Sequence, residues 1–471
     1  MVFSSLEFLF IFLPLFLIIY YITPIRYKNF WLFLGSLGFY SYGALSNPLY
    51  ILLIIGSVLV NYILGLFIRN YYDHKKIWLM IGLFYNFGWL FLFKYADFVF
   101  TTINSLIVKV WPSSTLQLPM LDLLLPIGIS FYTFQIVSYL LDVYRGTIDT
   151  ELSLVNLGAY LCMFPQLIAG PIVTYHSVSE QLKSREYNML TINDGLKDFT
   201  VGLALKVLLA NQVGRLWSDL TMIGYESIST PLAWMGILAF SLQIYFDFYG
   251  YSLMAIGLGK LLGFDLPQNF AHPYLSLSMT EFWRRWHITL GSWFREYLYI
   301  PLGGNRHGAF FTLRNLLIVW LFTGLWHGAS WNFVLWGFAL FVLLAIERLG
   351  FKNILEKHKV LGHLYMIACI PLSWLLFAIT DFTQLGIYFG RLFPFLPIQG
   401  SAIFKEDYIK YGKMYGIILL IGLLFSTKIP LHIYEKIKDN IIGTTILLIL
   451  FWASVYYLYL GLNDPFLYFR F

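Results

Sequence analysis

The residues in this sequence best suited to chemistry are two histidines within one stretch, Glu281 to Asn332. His287 lies in EFWRRWHITLGSWFREYLYIPLGGN and His327 in TGLWHGASWN, both among tryptophans. Even a neutral imidazole is costly to desolvate unless it is hydrogen-bonded, so histidine is scarce in apolar surroundings. An ionisable residue at membrane depth therefore marks a functional site. His327 stands between Trp326 and Gly328, with Gly324 one turn earlier. An imidazole there can take a proton from a hydroxyl and return it, which is general-base chemistry. No serine or cysteine sits in a nucleophile elbow, and no His/Cys/Asp group has zinc spacing. One base without a protein nucleophile suits direct acyl transfer to a substrate hydroxyl. It does not suit a serine hydrolase, and no metal ligand is predicted.

Placed on a helix at 100° per residue, 283–297 gathers Trp283, Trp286, Leu290, Trp293, Phe294 and Tyr297 on one face. Arg284, Arg285, Thr289, Ser292, Arg295 and Glu296 fall on the other. Such a basic amphipathic helix lies at a membrane interface with its arginines among headgroups. Alternatively, Arg284, Arg285 and Arg295 hold the phosphates of an acyl donor. His287 interrupts the aromatic face. The turn IPLGGNRHG contains Asn305, which joins Trp326 as a candidate contact for substrate or donor; without a preceding strand and a following GK[ST] it is not a phosphate loop.

Two candidates lie outside this stretch. Asp247 sits in the apolar run QIYFDFYGYSLMAIG, where a lone carboxylate needs a partner; an ion pair or cap contact and an acid/base role are the two readings. Gln135 belongs to LPIGISFYTFQIVSYLLDVYRG, a polar sequence for a membrane helix. Its polar groups either bind helix to helix or line a cavity. MFPQLIAGPIVTY, with two prolines and a glycine, predicts a re-entrant or kinked element beside a tunnel.

The elements that must position these groups are membrane helices. Of 471 residues, 59% are hydrophobic and 12% charged; a soluble domain carries roughly 25% charge. Aromatics at 20% suggest interfacial belts and an aromatic interior. The excess of 31 basic over 25 acidic residues fits basic cytoplasmic loops and not nucleic-acid binding. Cys162 and Cys369 are isolated in apolar stretches and read as buried thiols. Since about 20 apolar residues cross a bilayer, candidate spans fall near 7–23, 28–43, 49–68, 77–94, 121–141, 152–172, 198–217, 231–259, 310–327, 329–346, 361–380, 411–426 and 441–460. Some are short or re-entrant, giving ten to twelve crossings in one polytopic all-α domain, 1–471. The start, apolar almost from the first residue and without a basic n-region or cleavage site, reads as a retained span. Arg26 and Lys28, then Arg69, Lys75 and Lys76, place the first and third loops in the cytoplasm and the N-terminus outside.

FWRRWHITLGSWFREYLYIPLGGNR, GLWHGASWNF, MVFSSLEFLFIFLPL, PIGISFYTFQ, FPQLIAGPI and the terminal DPFLYFRF together resemble the membrane-bound O-acyltransferase family. The likeness is to its bacterial polysaccharide branch, typified by the alginate O-acetyltransferase membrane subunit, and spans essentially the whole chain. It implies a ring of helices around a central tunnel in the bacterial cytoplasmic membrane. It implies His327 as the active-site base and His287 as the second family histidine. It further implies acetyl-coenzyme A, or an acyl derivative, as a cytoplasmic donor, with no permanently bound cofactor. The acyl group would pass outward to a polysaccharide acceptor, commonly through an extracytoplasmic SGNH-type acetyltransferase partner. The chain departs from the family's usual pattern at Tyr249, Leu253 and Thr174, positions that bear on the acceptor side. D-alanyl transfer towards teichoic acid from an aminoacyl carrier protein is the alternative on the same fold. A polysaccharide or proton-coupled transporter, with the histidines as relays, is the alternative of another class; no inverted repeat supports it.

Overall fold

A computed structural model describes residues 2–45, 47–168, 170–395 and 405–461; the terminal DPFLYFRF motif lies outside the described residues. Among the described residues the structure is all-helical and contains no strand; its one bridge pairs Phe270 with Trp286. The chain divides into two compact units, residues 1–192 with Gly259–Pro267, and Asn193–Leu258 with residues 268–471.

The first unit contains α1 (Phe8–Ile22), α2 (Lys28–Gly43), α3 (Leu49–Asn70), α4 (Tyr72–Val110), α5 (Ile129–Arg145), α6 (Leu154–Cys162), α7 (Phe164–Leu167) and α8 (Tyr175–Lys183). Three sequence expectations are corrected here. Helix α4 continues through a π-turn to Val110 instead of ending at 94. The span expected at 121–141 begins only at Ile129, because Gly128 takes φ +72° and a Cβ there would lie 2.4 Å from the Leu167 carbonyl. The span expected at 152–172 is broken into α6 and α7 at Met163. Pro165 and Pro171 remove backbone donors from this segment, which accords with the kinked element predicted there.

The second unit begins within α9 (Met189–Ala204), which runs through a π-segment (Leu205–Ala210) into α10 (Asn211–Ile223). Then come α11 (Thr230–Leu261), α12 (Met279–Arg285), α13 (Ile288–Phe294), α14 (Ala309–His327), α15 (Trp331–Lys357) and α16 (Lys359–Ala378). Helices α17 (Phe382–Leu392), α18 (Asp407–Phe425), α19 (Ile429–Ile437) and α20 (Ile441–Tyr459) complete it. Among the described residues eight helices are long and apolar enough to cross a membrane, and the apolar α1 is shorter. Multiple spans of this kind make a multi-pass membrane protein. The share of buried residues sorts them: 78% in the apolar window of α11, against 17% in α20. Thus α11 is an inner helix, while α20 turns most of its apolar side chains outward, as a lipid-facing helix does.

Helices α14 and α15 meet backbone to backbone. A Cβ on Gly324 would lie 2.3 Å from the Phe333 carbonyl oxygen, and one on Gly337 would lie 2.3 Å from that of Trp320. Small residues that permit such approach bring membrane helices together by close packing. Here they fix the last turn of α14, which carries His327.

Candidate active site

The stretch expected to form one amphipathic helix over 283–297 forms two. Helix α12 is started by a variant of the capping box: Ser278 Oγ accepts from the Glu281 N–H at 3.1 Å, and Glu281 Oε2 reaches back one residue further, to the Leu277 N–H, at 2.8 Å. The buried Glu347 carboxylate of α15 accepts the Met279 and Thr280 N–H groups at 2.6 and 2.8 Å, adding negative charge at the positive helix end. The helix stops at Arg285, because the backbone around Trp286 pairs with an incoming segment at Phe270. Ala271 N–H donates to the Arg285 carbonyl at 3.0 Å, and Ile288 N–H donates to that of Asn269 at 3.0 Å. At the break His287 takes φ +44° and ψ +54°, a left-handed conformation that costs a non-glycine residue roughly 1–2 kcal/mol. Tertiary pairing overrides helical periodicity here and turns His287 out of the aromatic stripe.

The ring of His287 is 1% exposed. Its Nδ1 lies 3.2 Å from Asn269 Oδ1, which also accepts from Thr289 Oγ1 at 2.7 Å and from the Thr289 N–H at 3.4 Å. A backbone N–H can only donate, so the oxygen of the Asn269 amide faces this group. Nδ1 therefore carries the proton and Nε2 the lone pair. His287 lies outside the eight long apolar helices, and burial pushes its pKa down to about 3, so the ring is neutral. Phe248 packs edge-on against it, with ring centres 4.7 Å apart.

His327 is the last residue of α14 and is also buried. Aromatic rings hold it: Trp326 at 4.9 Å, Trp336 at 5.1 Å and Phe377 at 5.4 Å, all edge-on. Trp326 reaches both histidines, since its centre is 5.9 Å from that of His287.

His287 opens onto a cavity of about 790 Å³. Its walls are largely apolar, formed by Trp283, Trp286, Leu290, Val319 and Trp320; Thr323, one turn before His327, also contributes. Arg284, Arg295, Asn305, Arg306 and Arg348 line it as well. All five are exposed, and among the described residues none of the four arginines has a carboxylate partner. Arg285, expected beside Arg284, does not line the cavity; its Nη2 donates to Glu281 Oε1 at 2.5 Å. The roughly 100° step between neighbouring residues of a helix points the two guanidinium groups of RR in different directions, one to the cavity and one to Glu281.

Asp247 forms the ion pair that was one of its two readings. Its Oδ1 lies 2.7 Å from Lys206 Nζ, with both side chains buried, and Lys206 also donates to Asn211 Oδ1 at 2.8 Å. The close approach of α9 and α11 at Gly202 and Gly250 brings the pair together: a Cβ on either would lie 2.5–2.6 Å from the other's carbonyl oxygen. Gln135 belongs to the first unit. It is fully buried on α5, and its side-chain amide makes no hydrogen bond among the described residues. Sequence reasoning missed Asn269, Arg306 and Arg348. The first had a usable signal, an asparagine between Pro267 and Pro273 just ahead of the capping box.

The site thus sets two buried imidazoles on either side of Trp326, one of them, His287, lining an arginine-rimmed cavity in a multi-pass helical protein. The family model of the membrane-bound O-acyltransferases matches residues 147–380, which include both histidines. The chain is 34% identical to the probable alginate O-acetylase of Pseudomonas putida across the full length of both proteins. It is 33% identical to the peptidoglycan O-acetyltransferase of Helicobacter pylori over all of this chain and 98% of that one. A more distant likeness, 26% over 53% of this chain and 66% of the relative, is to the teichoic acid D-alanyltransferase of Bacillus subtilis. This chain belongs to the membrane-bound O-acyltransferase family, and it is an O-acyltransferase.

Proposed function

We propose that this protein O-acetylates an extracellular or cell-wall polysaccharide from the bacterial cytoplasmic membrane, using a cytoplasmic acetyl donor. The observation that carries the reading is the pair of buried imidazoles sharing Trp326, one of them open to a cavity rimmed by uncompensated arginines. In the reaction a hydroxyl oxygen attacks the acyl carbonyl of a thioester. His327 takes the hydroxyl proton as the C–O bond forms. The C–S bond then breaks and the proton goes to the departing thiolate. His287, neutral and with Nδ1 committed to Asn269, offers Nε2 to orient the reacting group.

Acetyl-coenzyme A suits the cavity. Its phosphates match Arg284 and Arg295, joined by Arg306 and Arg348, and its thioester arm suits the apolar walls. Asn305 and Trp326 complete the contacts assigned to donor or substrate. The polysaccharide acceptor follows the names of the two full-length relatives. An extracytoplasmic SGNH-type acetyltransferase is the partner that would finish the transfer. Membership of an acyltransferase family favours acyl turnover over transport.

The test is polymer-bound acetate in cells carrying His327→Ala at normal protein level. Acetate should fall to background; unchanged acetate would remove His327 from the chemistry. Purified protein given labelled acetyl-coenzyme A or a D-alanyl carrier protein separates acetyl from D-alanyl transfer.

A further inference from the structure

The end of α1 gathers two cations in a way the acyl-transfer site does not explain. Lys28, the first residue of α2, is 6% exposed, and Arg185 is 7% exposed. Among the described residues neither has a carboxylate within ion-pair distance. Lys197 and Lys206, also buried, each have one at 2.7 Å, Asp439 and Asp247 respectively. Basic residues at a membrane interface ordinarily extend their charged ends to water. These two do not follow that pattern.

Their surroundings are aromatic. Lys28 Nζ lies 3.9 Å from the ring centre of Tyr187, 4.8 Å from that of Tyr20 and 5.5 Å from that of Tyr21. Arg185 Nη1 donates to the Tyr20 hydroxyl at 2.6 Å, and its guanidinium lies over Phe264 at 4.5 Å. The hydroxyl hydrogens are committed within the cluster. Tyr20 donates to the Leu262 carbonyl and Tyr21 to that of Leu261, both at 2.6 Å, which leaves Tyr187 to donate to the Tyr20 oxygen at 2.9 Å. Ring faces offset only part of the desolvation of an ammonium group, and they supply no counter-charge. Helix α2 also starts here without a side-chain cap, so its positive end adds to the same potential. An anion with several acceptor oxygens is what this arrangement lacks. The flanking Ile22, Ile25 and Phe30 are 76%, 61% and 53% exposed, an apolar border suited to acyl chains.

We infer that Lys28 and Arg185, framed by Tyr20, Tyr21 and Tyr187, form a phosphate-binding site at the membrane surface, for an anionic lipid headgroup or a soluble phosphate. Full-length protein is compared in nanodiscs of phosphatidylcholine alone and with phosphatidylglycerol, and in detergent with inorganic phosphate. Native mass spectrometry counts retained lipid and thermal unfolding reports stabilisation. Phosphatidylglycerol should be retained and should raise the unfolding temperature. Lys28→Gln and Arg185→Gln should each weaken retention about fivefold, Lys28→Arg should restore it, and Lys109→Gln should leave it unchanged. Stabilisation by inorganic phosphate equal to that by the lipid assigns the site to a soluble ligand. Retention in both glutamine variants equal to wild type, or no preference for either phosphate source, overturns the proposal. If a glutamine variant fails to accumulate, a photoreactive phosphatidylglycerol on wild-type protein decides: label at 20–30 or 183–187 supports the site, and label only elsewhere refutes it.

Discussion

His287 and His327 both touch Trp326, yet they are held in opposite ways. His287 sits at a helix break on left-handed backbone, with one nitrogen committed to Asn269. His327 ends a regular helix, locked against its neighbour through Gly324 and Gly337 and enclosed by aromatic edges. Burial resists protonation of the first ring. The second stands where the carbonyl end of α14 presents partial negative charge, which stabilises positive charge developing on a ring that takes a proton. Under the proposed mechanism the two sites would divide the work: His287 would orient through a fixed tautomer, and His327 would move the proton.

The largest expected effect tests that division directly. His327→Ala or His327→Asn should lower acyl transfer by about 10²–10⁴-fold, the range for loss of a general base, while His287→Asn retains measurable activity. Equal losses at the two positions in a turnover assay would abolish the distinction. Next, Asn269→Asp places a carboxylate against the Nδ1–H of His287 and raises the pKa of that ring. In the wild type the lowered pKa keeps His287 neutral above about pH 3. The variant should therefore lose activity as pH falls, by about tenfold for each unit below the new pKa, while remaining active at high pH. A pH profile identical to wild type would show that Asn269 does not act through His287. A smaller effect is expected at the cavity rim: Arg284→Gln or Arg295→Gln should raise KM for the donor about tenfold, as for one charged hydrogen bond lost, with kcat nearly unchanged. The smallest belongs to Arg285→Gln. It should leave KM within about twofold and cost about 0.5 kcal/mol of stability, because its guanidinium pairs with Glu281 and does not line the cavity. A KM change as large as that of Arg284→Gln would return Arg285 to the donor site.

The long helices and both histidines were legible in the sequence because they depend on local composition. The break between α12 and α13 was not. No proline or glycine separates Trp283 from Leu290, and the helix stops only because residues 269–271 compete for its backbone. Asp247 announced that it needed a partner but not which one, since Lys206 is brought beside it by a glycine contact between α9 and α11. Asn305 and the neighbouring Arg306 line the cavity together, and Arg348 arrives from α15. Such convergence is a property of packing, which periodicity does not encode.

The backbone at position 287 also limits the alphabet in which this site can be rewritten. Beyond glycine, asparagine and aspartate enter the left-handed region most readily, so alanine there removes a ring and opposes a torsion angle at once. An alanine scan would record both losses as one and would overstate what the imidazole does. Comparing glycine with asparagine separates them: glycine keeps the torsion without any side chain, and asparagine keeps the torsion with a polar group in place. Directed evolution of this enzyme should find position 287 nearly closed, for reasons of geometry as much as chemistry.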